Sequence, residues 1–222
     1  MSSFGAVEKR NEGLPSTVSL RDIADVLIHE PFTLSRRTGA IEEEATVQTI
    51  SAGETERFQS GRREKSSVES ISLSDLESPE VLAIVRAWNK WRGFHGLPRR
   101  EALQPRDLGH FAANASLVHV VDEGADYEFR IIGDAHLQAY GTNFTGLHMR
   151  DVISAAPKFG RLLKASYDLV RSTGRPYAFR GVVGYDAPDA RFSWFETCYL
   201  PFGSGAAEVD YILNAASYTP RR

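Results

Sequence analysis

The chain has 222 residues, enough for one compact domain with a less ordered segment or for two small domains. Its 26 Lys and Arg against 29 Asp and Glu give a formal charge of -3, so it lacks the basic excess that drives binding to nucleic acid or anionic lipid. One cysteine, no secretory leader and no apolar run of membrane-spanning length predict a cytoplasmic protein without an intrachain disulfide, a membrane segment or a nucleic-acid partner.

Residues 1–73 are expected to form a largely disordered arm. Between residues 36 and 70 the composition is dominated by charged and small polar residues, and the few apolar residues follow neither a helical nor a strand period. A short amphipathic helix is predicted near 19–30, either docking a partner or packing on the chain's own domain. Its apolar face carries Leu20, Ile23, Ala24 and Leu27. A chain beginning near Ser74 is therefore expected to fold as well as the full chain.

An amphipathic helix is predicted to open the folded domain, which is assigned to residues 74–222. Ser78 is a favoured cap residue, Pro79 suits the first helical position, and Gly93 marks the end. The apolar face is too extensive to remain in water. We expect it to cover a sheet, either that of its own chain or that of a second subunit in a symmetric dimer. The candidate partner or dimer interface consists of Val81, Val85, Trp88 and Trp91.

Two strands, a helical region and three further strands are predicted next. The strands are placed at 117–121, 127–132, 176–185, 192–202 and 209–218, and the longest helix at about 157–173. This order predicts an α+β fold in which an antiparallel sheet carries its crossover helices on one face, above an apolar hollow. Segment 192–202 has aromatic residues on both faces, so the crossover helices alone cannot cover the sheet.

This region contains several short sequence motifs. They are Trp88 and Trp91 in the first helix, Leu97-Pro-Arg-Arg100 continuing to Pro105, Phe129-Arg-Ile-Ile-Gly133, Tyr140-Gly141 and Thr145-Gly146. With them, residues 82–218 resemble a PAS family of alphaproteobacteria whose members often stand alone, without an output domain. The resemblance implies a five-stranded PAS sheet and a signalling or regulatory role. The flanking tryptophan helix would precede that sheet.

The sequence contains no kinase, cyclase or DNA-binding pattern and no nucleophile motif around its serines, so we expect a non-catalytic module that acts through a protein partner. The alternative is a receptor that holds a small apolar or aromatic ligand in the hollow. Its candidate ligand-binding residues are Phe129, Phe144, Met149, Trp194, Cys198 and Tyr211. A hollow filled by these same side chains is the other outcome left open.

No cofactor is expected. Flavin photosensors of the PAS class carry a reactive cysteine in an Asn-Cys-Arg motif, and the comparable segment 142–145 has none. Haem-binding PAS domains generally supply a histidine from the long helix, and segment 158–173 has none. His136 and His148 lie on shorter segments, and a haem-binding sensor that uses one of them is the remaining alternative. Cys198, in mid-strand, is expected to be a buried and inert thiol.

Overall fold

The computed structural model describes residues 65–93, 96–185, 190–204 and 208–221. The predicted helix near 19–30 and most of the predicted arm lie outside them. Among the described residues, no helix combines the length and the apolar character needed to cross a membrane.

The fold is α+β, with one open antiparallel sheet and several helices. The strands are β1 (Ser67–Ile71), β2 (Ala115–Val121), β3 (Asp126–Ile132), β4 (Tyr177–Val182), β5 (Phe192–Phe202) and β6 (Tyr211–Pro220). The α-helices are α1 (Pro79–Arg92), α2 (Pro105–Leu108), α3 (Asp134–Tyr140), α4 (Met149–Ala155) and α5 (Pro157–Thr173), and a 3-10 segment, Gly109–Asn114, leads into β2. The strand order in the sheet is β1-β4-β5-β6-β2-β3.

The predicted count of five strands is wrong, because β1 adds a sixth. It pairs antiparallel with β4, from Ser67 opposite Val182 to Ile71 opposite Ala178. Three of its five residues are polar and only Val68 and Ile71 are apolar, so neither strand period nor hydrophobicity marks it in the sequence. It is stabilised by pairing with its neighbour. The sheet therefore includes residues before 74, within the segment assigned to the arm.

Strand β5 is central and is buried on both faces. Its residues Cys198, Leu200 and Phe202 belong to a core cluster with residues of α1. Tyr199 belongs to a second cluster with residues of α4 and α5 on the opposite face. Because successive residues of a strand point to opposite sides, the alternation in β5 separates these two cores. The sheet is thus covered on one face by α1 and on the other by the crossover helices.

Helix α1 packs on the chain's own sheet. Its side chains Val81, Val85 and Trp88 are buried in the core that includes Leu200. The Trp88 indole is 1% exposed, and its Nε1 donates to the Pro201 carbonyl at 2.9 Å. These three predicted interface residues therefore form an intramolecular core and are not open to a partner.

Trp91 is the fourth predicted interface residue and is only partly buried. Its ring lies 6.0 Å from that of Phe202, and its Nε1 donates to the Asp107 carboxylate at 3.0 Å. Its indole therefore lies between the core and the segment that follows α1.

The start of α1 is held by a carboxylate from the sheet. Ser78 occupies the cap position, but its side chain makes no capping hydrogen bond and donates instead to Glu80. The backbone N–H groups of Glu77 and Ser78 donate to the carboxylate of Glu196 in β5, the latter at 2.7 Å. Glu196 is fully buried. The Ser78 side chain therefore does not act as the predicted cap, and Glu196 instead holds the backbone immediately before the helix.

Replacing Trp88 with alanine is expected to lower the free energy of unfolding by about 3–5 kcal/mol, because it opens a cavity and leaves the Pro201 carbonyl without its donor. Urea unfolding followed by circular dichroism measures this. Trp91→Ala is the matched control, with a smaller expected loss since its indole is partly exposed. Equal losses for the two variants would contradict the assignment of Trp88 to the core.

Removing β1 tests the boundary of the domain. Residues 74–222 are expected to unfold at a lower temperature than residues 65–222, corresponding to a loss of about 1–3 kcal/mol, because burial of Val68 and Ile71 and the ion pair of Glu69 with Arg180 are lost. Thermal unfolding of both, beside the full chain, measures the difference. Coincident transitions for 74–222 and 65–222 would show that β1 adds nothing to the sheet.

Candidate functional site

Three of the six predicted ligand-binding residues come together under the crossover helices. Phe129 lies on β3, Met149 begins α4, and Phe144 lies on the loop between α3 and α4. All three are buried in one cluster, and the rings of Phe129 and Phe144 lie 5.4 Å apart. The structure thus places these residues where the predicted hollow was expected.

The other three lie elsewhere. Cys198 is in the core beneath α1, on the opposite face of the sheet. Tyr211 packs against that same core and lies 4.8 Å from the His119 ring. Trp194 is partly buried at the end of β5, opposite Val182 and Thr219. The six residues therefore do not line one pocket, because Cys198 and Tyr211 alternate away from the crossover helices.

The predicted hollow is filled by aromatic side chains. Tyr127 and Tyr167 are 5.2 Å apart, Tyr167 and Tyr199 are 5.7 Å apart, and Tyr140 lies 5.2 Å from Phe159. A cavity of about 10 Å³ lies at one end of this cluster, between Tyr140, Tyr199 and Tyr218. That volume holds roughly one water molecule. The sequence left open either a ligand-binding hollow or a core filled by side chains. This packing agrees with the filled core.

A polar cluster borders this cavity. The Nδ1 atom of His136 lies 3.1 Å from the hydroxyl oxygen of Tyr218, whose O–H donates to the Tyr140 hydroxyl at 3.1 Å. Burial lowers the pKa of His136 from its usual value near 6.5 to about 4, and raises the pKa of Tyr140 and of Tyr218. At neutral pH the cluster is therefore uncharged, and its groups act as hydrogen-bond donors and acceptors.

His148, the other candidate haem ligand, is the N-cap residue of α4. Its side chain and the Asp151 carboxylate form a reciprocal capping box. Its Nδ1 lies 3.2 Å from the carboxylate of Asp126, which also pairs with Arg150. Within the described residues, no group of three or more histidine, cysteine, aspartate or glutamate side chains is arranged to hold a metal ion.

Cys198 is fully buried, and burial raises the pKa of its thiol. It lies opposite Ala178 on one side and Ala215 on the other. A thiol in this setting remains protonated, which makes it a poor nucleophile.

A second cavity, of about 80 Å³, lies on the face of the sheet that α1 covers. We call it the Arg100 groove. Its apolar walls include Leu103, Leu108, Leu117, Ile131 and Leu213, and the Arg100 side chain also lines it. Sequence reasoning missed it, because segment 100–112 has no helical or strand period. The apolar residues Leu103 and Leu108 of this segment line the groove and are the only signal of it that the segment's sequence carries.

Comparison of the chain with protein-family models, with curated proteins and with solved structures finds no match. The resemblance to a PAS family therefore stays a prediction from the motifs.

Acidification tests the buried state of His136. Its folded pKa of about 4 lies below that of the unfolded chain, so the unfolded state binds more protons between pH 6.5 and 4, and stability is lost as pH falls through this window. We expect the loss from this group to reach about 3 kcal/mol near pH 4. Urea unfolding of the natural chain and of His136→Phe between pH 7 and 4 measures it, and the variant should lose less.

His148→Gln is the matched control for this measurement, since it removes a histidine and leaves His136 in place. The difference in pH dependence between the natural chain and His136→Phe is expected to persist when His148→Gln is introduced into both. Parallel pH profiles for the natural chain and for His136→Phe would mean that folding does not lower the pKa of His136.

Proposed function

We propose that the chain is a non-catalytic regulatory module of the PAS type that acts through contacts with another protein. The order of the strands supports the PAS part of this proposal. Without β1, the sheet reads β4-β5-β6-β2-β3, with the helices inserted between β3 and β4 and the last strand paired with the first. This is the order of two strands, helical crossover and three strands that the motif resemblance implies.

The filled core is the observation on which the functional part depends. The space between the sheet and the crossover helices, which a ligand would need, is occupied by the chain's own aromatic rings, and the cavity beside Tyr140, Tyr199 and Tyr218 measures about 10 Å³. A hollow of about 280 Å³ lies at the border of this cluster, and its lining is largely polar, with Glu123, Arg171, Glu208 and Asp210 beside Val120 and Val209. A drug-sized ligand needs a cavity of about 300 Å³ or more. A module that binds no ligand in this space must act through its surface. A contact with another protein is the simplest such action.

The same contacts argue against two alternative functions, a small-molecule receptor and a haem sensor. A receptor for an apolar or aromatic ligand would require the rings of Phe129, Phe144 and Tyr167 to separate, at the cost of their close packing. A haem sensor would require His136 to leave Tyr218, or His148 to leave its cap on α4. Each alternative therefore breaks packing or hydrogen bonds that the proposed module keeps.

Native mass spectrometry of the freshly purified full chain separates the module from a receptor. We expect the mass of the polypeptide alone, and an absorption spectrum without a flavin or haem band. A stoichiometric small molecule that leaves on unfolding would favour the receptor. A Soret band lost in His136→Phe or in His148→Gln would favour the haem sensor.

Capture with the tagged full chain from its own cell extract tests the protein contact directly. We expect a partner that re-forms a complex of fixed stoichiometry when both proteins are purified and mixed, with light scattering giving the number of copies of each. A second copy of this chain would appear in the same measurement as a homodimer. A protein that stays monomeric and re-forms no complex with any captured candidate would contradict the proposal.

A further inference from the structure

The Arg100 groove is an apolar space that none of the residues described by the structure fills. Leu117 and Leu213 form part of its wall and are almost fully buried. Ile131 also lines it but is 45% exposed, one of two large apolar side chains of the described residues that are so open. The groove therefore joins the interior of the domain to its surface through apolar walls.

Among the described residues, Arg100 is the one charged side chain that lines the groove. Its guanidinium carbon lies 5.7 Å from the centre of the Tyr211 ring, and its Nη1 donates to the Leu103 carbonyl across a long 3.4 Å. Within the described part of the chain, no carboxylate forms an ion pair with it. A half-buried guanidinium with a weak neutral partner retains donors for an anion.

We propose that the Arg100 groove binds a small aliphatic carboxylate, with the chain of the ligand against Leu108 and Leu213 and its carboxylate on Arg100. Charge complementarity selects the head group, because a guanidinium donates two parallel hydrogen bonds to the oxygens of a carboxylate. The apolar walls select the tail, and the volume of about 80 Å³, against the roughly 150 Å³ of a dry cavity that accommodates benzene, limits the part held inside to a short aliphatic segment. The rest of the chain would lie along the exposed Ile131 side chain, at the open side of the groove.

This site is distinct from the filled core and independent of the protein contact proposed above. The core lies under the crossover helices, and the Arg100 groove lies on the opposite face, beside α1. Failure of one proposal leaves the other standing, because the first is measured by complex formation and the second by titration of a purified chain with a small molecule.

Titration of the full-length chain with hexanoate, followed by methyl NMR, tests the site. We expect saturable shifts of the Ile131, Leu108 and Leu213 methyl signals. Hexanol has the same tail without the charge, and acetate has the charge without the tail, so both are expected to bind at least about tenfold more weakly. If hexanoate gives no saturable shift, or if hexanol binds as tightly as hexanoate, the proposal is overturned.

Matched variants locate the two ends of the ligand. Arg100→Met is expected to weaken hexanoate about tenfold and to leave hexanol unchanged, whereas Arg99→Met, at the exposed neighbouring arginine, should leave both unchanged. Ala112→Phe places a ring at the groove wall and should abolish both. If Arg100→Met does not fold, the comparison of hexanoate with hexanol on the natural chain still decides.

Two further results would overturn the proposal. One is an equal loss of hexanoate affinity in Arg99→Met and Arg100→Met, which would mean a diffuse attraction to positive charge. The other is an Ile131 methyl signal that does not shift with hexanoate and shifts only when a protein partner is added. That result would make the groove a pocket for a side chain of the partner.

Discussion

The burial of β5 on both faces is the constraint on which the rest of the fold depends. A strand with Leu200 and Phe202 on one side and Tyr199 on the other cannot face water on either side. The crossover helices between β3 and β4 cover one face, and none of the described side chains of that insertion belongs to the core on the other face. Helix α1 supplies the second cover, which makes the N-terminal flanking helix an integral part of the domain.

The same strand also fixes where α1 begins. Glu196 brings a carboxylate into a fully buried position, which is costly unless hydrogen bonds replace its hydration. The N–H groups of Glu77 and Ser78 supply them, and the position next to a helix N-terminus favours a negative charge. Arg180, opposite Glu196 on β4, pairs with Glu77 and with Glu69 of β1. One short network therefore ties α1, β1 and β4 to β5.

The sequence predicted elements whose own residues carry a strong pattern. The predicted bounds of β5 and of α5 agree with the structure, because a long apolar strand and an amphipathic helix closed by Gly174 are visible locally. Strand β1 could not be predicted, because it is polar and depends on β4. The proposed ligand set failed as a set for another reason: with both faces of β5 aromatic, residue types alone could not place Cys198 on the side of α1.

The two faces of the sheet therefore differ in the space that they leave for a ligand. Under the crossover helices, aromatic rings pack against one another, and Nδ1 of His136 lies within hydrogen-bond distance of the Tyr218 hydroxyl. On the side of α1, Leu117 and Leu213 belong both to the Arg100 groove and to the core that contains Trp88. An occupant of the groove would press on the side chains that hold α1, and since close-packed cores transmit displacement, its presence would be felt at the helix and at β1 before it. A ligand bound in the groove would therefore contact the core that holds α1, whereas the space under the crossover helices is occupied by the chain's own aromatic rings.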